Sequence, residues 1–155
     1  EDALTHIRAT IPLAHVLKVN EGELALLTDA DLALDQAGWA ERVVAAGQTL
    51  LAPGPKLIIV TLGPNGAFFI TADAHGRVPG FAVSTVDATG CGDAFIAGLL
   101  WQLVQGGFTP AGAGSHILPA ALRYANAVGA LTATRQGVIP ALPMAAEVAQ
   151  FLATV

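Results

Sequence analysis

This sequence is short of the features that commit a chain to an oxidising, nucleic-acid or membrane setting. It has one cysteine, Cys91, so no internal disulfide can form, which fits a reducing cytoplasm. Positive charge is scarce: 7 Lys and Arg stand against 12 Asp and Glu, the net charge is −5, and no basic stripe exists. That argues against a nucleic-acid partner. The four histidines, His6, His15, His75 and His116, are scattered without metal-ligand spacing. No apolar run is long enough to cross a bilayer, and Glu1-Asp2 does not open a signal peptide. The expectation is a cytoplasmic protein with no membrane contact. No repeat, linker or low-complexity segment interrupts the chain.

What is abundant is small and apolar. Of 155 residues, 54% are hydrophobic and 17 are glycine, enough for one domain with a real core and closely packed helices. The pattern predicts a helix over 3–9 stopped by Pro12, and a short buried strand over 14–19. Asn20 then caps a short helix with Glu23 three residues on, as in a capping box. A helix is predicted from Asp31 through Leu34, Trp39, Val43, Val44 and Leu50, ended by Pro53-Gly54-Pro55. Residues 57–62 form a six-residue apolar run, read as a buried and parallel strand. A turn at 63–66, a returning strand at 67–70, a turn at 73–76 and a short strand at 81–83 follow. Next come a helix ending near Gln105, a loop at 110–114 and an Ala-rich helix over 116–133 with Pro119 in its first turn. A loop at 135–140 and a helix over 144–152 complete the chain. Trp39 and Trp101 fall on apolar helix faces and are expected in the core.

The chemistry concentrates in Val86-Asp87-Ala88-Thr89-Gly90-Cys91-Gly92-Asp93-Ala94-Phe95. Three small residues precede an acid, and apolar residues at helical spacing follow. A glycine turn feeding a helix leaves backbone N–H groups unpaired at the positive end of the helix dipole, which suits an anion. An acid there does nothing for anion binding. It makes sense where a carboxylate must take a proton from a hydroxyl attacking a phosphoryl group. Phe95 stands where a dinucleotide fingerprint needs its third glycine, and Asp93 stands where a Walker A loop needs lysine. The plain alternative, a helix start with an acid in its first turn, remains open on spacing alone.

Four blocks, taken in order, resemble the C-terminal half of ribokinase-like carbohydrate kinases of the phosphofructokinase-B family. Asn20-Glu21-Gly22-Glu23 matches Asn-x-x-Glu, and Thr61-Leu62-Gly63-Pro64-Asn65-Gly66 matches Thr-Leu-Gly-x-x-Gly. Asp87-Ala88-Thr89-Gly90-Cys91-Gly92-Asp93-Ala94-Phe95 matches Asp-Thr-Thr-Gly-Ala-Gly-Asp-x-Phe. Ala125-Asn126-Ala127 with Thr134-Arg135-Gln136-Gly137 matches the closing segment on the nucleotide side. The resemblance implies a three-layer α/β/α fold with a mostly parallel central sheet flanked by helices, here lacking the N-terminal half and lid. Residues 1–155 would form a single domain carrying the nucleotide-binding and catalytic-base part.

The resemblance also implies roles. Asp93 would be the base, and the Gly90, Cys91 and Gly92 amides the anion hole. Asn20 and Glu23 would hold phosphate oxygens and the water shell of Mg²⁺, although a capping box by itself explains the same pair. Thr61, Gly63 and Gly66 would line the phosphate and ribose side of ATP. Asn126 would sit beside adenine, unless it is a buried amide satisfied elsewhere. A monovalent cation, K⁺ in several members, would lie at Asp87, Thr89 and the loop around Gly137. Ala88 and Cys91 depart from the family pattern. Cys91 is either a small space-filler or a reactive thiol with a lowered pKa at a helix start. Arg135 either reaches a phosphate or is solvated.

Residues 134–143 and 17–24 most resemble fructokinases within the family, which implies ATP-dependent conversion of fructose to fructose 6-phosphate. Kinases of 2-keto-3-deoxygluconate or ribose are the nearest alternatives, and a non-catalytic nucleotide-binding or interaction fragment is the competing class. In the family the sugar contacts and the lid lie mainly ahead of where this chain begins. The 155 residues alone are therefore expected to be a fragment with little activity, and a homodimer through the lid would need residues outside it.

Overall fold

The computed structural model describes residues 2–32, 37–109 and 115–155. Its helices are α1 (Ala3–Thr10), α2 (Glu21–Thr28), α3 (Trp39–Leu51), α4 (Cys91–Gln105), α5 (Leu118–Ala133) and α6 (Ala145–Thr154). Its strands are β1 (Val16–Asn20), β2 (Leu57–Thr61), β3 (Ala67–Ile70) and β4 (His75–Val78), which form one mixed sheet in the order β1-β2-β3-β4. β1 and β2 run parallel, with Val16 opposite Leu57 and Asn20 opposite Thr61. Leu57, Ile58, Ile59 and Val60 are all fully buried, so β2 is covered on both faces. This is why it reads as a continuous apolar run and not as an alternation.

The chain divides into two compact units. The first comprises the described residues of Glu1–Leu62 together with Phe68–Gly76 and the described ends of Thr109–Ser115. Its core joins Val19, Leu24, Val43, Leu50, Ile58, Val60, Phe68 and Ile70. α3 approaches the sheet closely through Gly47, where an added Cβ would fall 2.2 Å from Ile70 Cδ1. The second unit comprises Gly63–Ala67, Arg77–Phe108 and His116–Val155. There α4 meets α5 through small residues: Ala94, Gly98, Ala121 and Ala125 are buried, and a Cβ on Gly98 would come within 2.9 Å of Val128 Cγ2. Alanine and glycine let helix axes approach to the lower end of the usual range.

Several elements depart from the sequence expectation. α3 starts at Trp39 and not at Asp31; Leu34 lies outside the described residues. Side chains of its first turn instead bond the preceding segment: Trp39 Nε1 donates to Leu32 O at 3.0 Å, and Arg42 donates to Asp31 O and Ala37 O. The second hairpin turn is 71–74, tied by Thr71 N–H and Oγ1 to Ala74 O, so His75 and Gly76 are already in β4 and not in a turn. Residues 81–83 make no strand. Phe81 is held by rings and charge instead, edge-on to Phe151 at 5.1 Å and under the Arg123 guanidinium at 5.1 Å. The loop predicted at 110–114 lies outside the described residues. Trp39 packs edge-on to Phe68, whereas Trp101 is 57% exposed on α4, beside exposed Leu100 and Val104. Pro119 sits in the first turn of α5, where its missing N–H costs nothing.

Candidate active site

The predicted site residues fall in both units, and each group is built locally. In the second unit, α4 begins at the glycine turn. Gly90 is its N-cap, in the left-handed region at φ +77°, and a Cβ there would lie 2.6 Å from Val138 Cγ1. Only glycine fits both demands. The first helical bond runs from Ala94 N–H to Gly90 O at 2.9 Å. Among the described residues, the Gly90, Gly92 and Asp93 N–H groups have no hydrogen-bond partner. The Cys91 N–H differs from expectation, because it donates to Ala88 O at 3.3 Å to close the turn. The free donor set is thus Gly90, Gly92 and Asp93 itself.

Asp93 occupies the third position of α4. It is exposed, and its carboxylate makes no hydrogen bond or ion pair among the described residues. A carboxylate at a helix start usually caps a backbone amide; this one is uncommitted.

Asp87 is the opposite case. Its Oδ1 accepts from Thr89 N–H at 2.9 Å and its Oδ2 from Gly137 N–H at 3.0 Å. The Thr89 amide first, then the Thr89 hydroxyl and the Gly137 amide, hold its pKa below the ordinary carboxylate value. The resemblance puts the cation mostly on carbonyls of these residues; the Asp87 side chain is a clamp between two loops, joining Thr89 and Gly137 through hydrogen bonds from their backbone amides. Ala133 O adds two more ties, accepting from Val86 N–H at 2.8 Å and Asp87 N–H at 3.2 Å.

The electrostatics at Cys91 run against the lowered pKa that the reactive reading requires. Partial burial first, and the nearby Asp87 charge second, push the thiol pKa up. Its Sγ lies 3.8 Å from Asp87 O, and the residue behaves as a space-filler under the turn. Arg135 does not stand free in solvent either. It pairs with Glu147, which lowers the Glu147 pKa and raises that of Arg135.

Asn126 is 7% exposed, and its amide nitrogen donates to Val78 O at 3.2 Å and Pro79 O at 3.0 Å. Its amide nitrogen ties α5 to the end of β4, as the reading of a buried amide satisfied elsewhere has it, and this leaves the place beside adenine undecided. A cavity of about 370 Å³ opens beside this tie, lined by Arg77, Val78, Pro79, Phe81, Pro119 and Arg123 among others. The turn 63–66 packs onto the same backbone: Gly66, at φ +91°, would drive a Cβ to 2.0 Å from Val78 O. Gly63 is also left-handed at φ +53°, yet nothing lies within 4 Å of its missing Cβ.

In the first unit, Asn20 and Glu23 make the full capping box. Asn20 N–H donates to Glu23 Oε2 at 2.7 Å, and Glu23 N–H donates to Asn20 Oδ1 at 2.8 Å. This leaves Asn20 Nδ2 and Glu23 Oε1 without partners among the described residues. Capping and ligand binding use different atoms. Thr61 Oγ1 donates to Val19 O at 3.3 Å, at the end of β2 beside β1.

Sequence reasoning missed Val138, which walls the Gly90 turn, and Glu147, which holds Arg135. Glu147 had a legible signal, an acid three residues after Met144 at a helix start; it accepts from Met144 N–H at 2.7 Å. Val138 had none. Among the described residues, no cluster of three or more His, Cys, Asp or Glu side chains is arranged to hold a metal, and no helix is long and apolar enough to cross a membrane.

Residues 1–145 match the model of the pfkB family of carbohydrate kinases. The chain is 40% identical over 153 residues to fructokinase-1 of Zea mays, covering 98% of this chain and 44% of that protein. It thus spans about half the length of the curated relatives it matches. The structure of fructokinase with bound ATP from Xylella fastidiosa superposes with a TM-score of 0.83 at 30% identity, covering 99% of this chain and 47% of that one. Aminoimidazole riboside kinase from Salmonella enterica, complexed with aminoimidazole riboside and an ATP analog, gives 0.77 at 33% identity, with 96% and 46% covered. The α/β fold is therefore ribokinase-like, in part. The chain belongs to the pfkB family of carbohydrate kinases.

Proposed function

We propose that this chain is the nucleotide-side and catalytic-base portion of an ATP-dependent sugar kinase, with fructose as substrate and fructose 6-phosphate as product. The observation that carries the reading is Asp93: an exposed, uncommitted carboxylate at a helix start whose neighbouring amides are unpaired. Asp93 takes the proton of the sugar hydroxymethyl as its oxygen attacks the γ-phosphorus of ATP. A carboxylate is a weak base, which a loose phosphoryl-transfer transition state tolerates because it asks chiefly for orientation. The Gly90, Gly92 and Asp93 amides donate to the oxygens of the transferring group.

On the first unit, Asn20 Nδ2 takes a phosphate oxygen and Glu23 Oε1 takes a water of hydrated Mg²⁺, which gives up its water reluctantly. Mg²⁺, when bound, neutralises charge on the phosphates. Thr61, Gly63 and Gly66 flank the phosphates and ribose, and the open side of Gly63 leaves room for a ligand. We assign the base to the neighbourhood of 78–81, whose backbone Asn126 holds. Carbonyls of Asp87, Thr89 and the Gly137 loop suit a hard monovalent cation such as K⁺, since the Asp87 side chain already bridges that loop. Fructose is favoured over ribose or a sugar acid because fructokinases recur among the relatives. A cytoplasmic setting follows from the same reading.

The test is sugar-dependent ADP release by the full-length protein in a coupled assay across a sugar panel, with ATP binding measured separately. Asp93→Asn should lower turnover by about 10²–10⁴-fold, the usual contribution of a positioned base, while ATP affinity is retained. Near wild-type turnover in that variant overturns the mechanism.

A further inference from the structure

The Arg135–Glu147 pair joins α6 to the loop that walls the glycine turn, and no role is assigned to it by the chemistry above. Glu147 Oε2 accepts from Met144 N–H at 2.7 Å at the start of α6, and its Oε1 accepts from Arg135. Arg135 opens the segment leading to Gly137 and Val138. That segment touches the turn before α4 in two ways: Gly137 N–H donates to Asp87 Oδ2 at 3.0 Å, and Val138 fills the space under Gly90; just ahead of it, Ala133 O at the end of α5 accepts from Val86 and Asp87 N–H. Asp87 in turn holds Thr89 N–H at 2.9 Å, one residue before Gly90. Every link of this series lies within the second unit. The pair is half exposed, with side chains 41% and 38% accessible, so it adds little to global stability. Its distinct consequence is local: it fixes the far end of a segment whose near end shapes the donor turn.

We propose that Glu147, acting through Arg135, is a positioning residue for the Gly90–Asp93 turn. The proposal that it sets the turn for phosphoryl transfer rests on the kinase reading above; the physical latch does not. Glu147→Gln keeps one acceptor oxygen for the Met144 amide and takes from Arg135 its carboxylate partner, both the negative charge and the hydrogen bond. In this variant, amide hydrogen exchange at Gly137 and Thr89 should rise about 2–5-fold, the range an exposed ion pair supports, while exchange at Val60 in the other unit stays unchanged. Turnover should fall with little change in the KM for nucleotide, and Arg135→Met, which leaves the Glu147 bond to the Met144 amide intact, should reproduce both the raised exchange and the lost turnover. Unchanged exchange at Gly137 and Thr89 overturns the latch. Raised exchange with unaltered turnover overturns the positioning role. A full-length wild-type protein that transfers phosphate to no sugar overturns the kinase reading and the catalytic half of the proposal with it, while the exchange result still decides the latch.

Discussion

Replacing Gly90 by alanine tests whether the donor turn is held by backbone conformation, by the wall behind it, or by both. Gly90 sits at φ +77°, and placing an L side chain in this region costs roughly 1–2 kcal/mol. The new methyl would also lie 2.6 Å from Val138 Cγ1, so the valine or its loop must move, and overpacking of this kind costs about 1–3 kcal/mol. The two costs together give a destabilisation of about 2–5 kcal/mol. Val138 is 38% exposed, so Val138→Ala alone should cost less than about 1 kcal/mol. It should remove the steric cost in the double variant but leave the conformational one. Urea denaturation of wild type, both single variants and the double variant, followed by circular dichroism, measures all four stabilities. The expected coupling is about 1–3 kcal/mol in favour of the double variant. Coupling below about 0.3 kcal/mol would refute the close contact. A Gly90→Ala cost below about 0.5 kcal/mol would refute the left-handed requirement itself.

Asn126→Leu should cost about 0.5–1.5 kcal/mol, because Val78 O and Pro79 O, in a part-buried place, lose the donor that the buried Asn126 supplies; the denaturation midpoint reads it. Asp87 has a lowered folded-state pKa, so its contribution to stability is complete above the unfolded value near about pH 3.9 and is lost as pH falls through the lower folded value. The stability gap between wild type and Asp87→Asn should therefore be constant at neutral pH and close on acidification below about pH 4; a gap that widens on acidification contradicts the clamp. Cys91 should alkylate more slowly than an unstructured thiol at pH 7, with a rate still rising above about pH 8.5, because burial and Asp87 raise its pKa. Fast labelling at neutral pH would restore the reactive reading.

Much of the fold was legible because the signals were local. The 57–62 run gave β2 through its unbroken burial, Pro119 gave the start of α5, and Asn20 with Glu23 gave the cap of α2 to the atom. The errors came where side-chain partners, near or distant in sequence, won over pattern. Trp39 and Arg42 bond back to the preceding carbonyls, which shortens α3 at its start, and Phe81 finds an aromatic partner in place of a strand. Trp101 follows an apolar spacing yet lies exposed, since periodicity marks a face without saying what covers it.

The site divides along the same line. Gly90-Cys91-Gly92-Asp93 by itself determined a helix start with unpaired donors and an acid in its first turn, because that follows from chain connectivity and missing side chains. Only the tertiary structure decided what the neighbouring polar groups are for. Asp87 clamps Gly137, Asn126 ties down 78–79, partial burial raises the Cys91 pKa, and the Asp93 carboxylate has no partner among the described residues. A side chain's chemistry is written in the sequence, but whether its hydrogen bonds are already spent depends on which backbone atoms folding brings beside it.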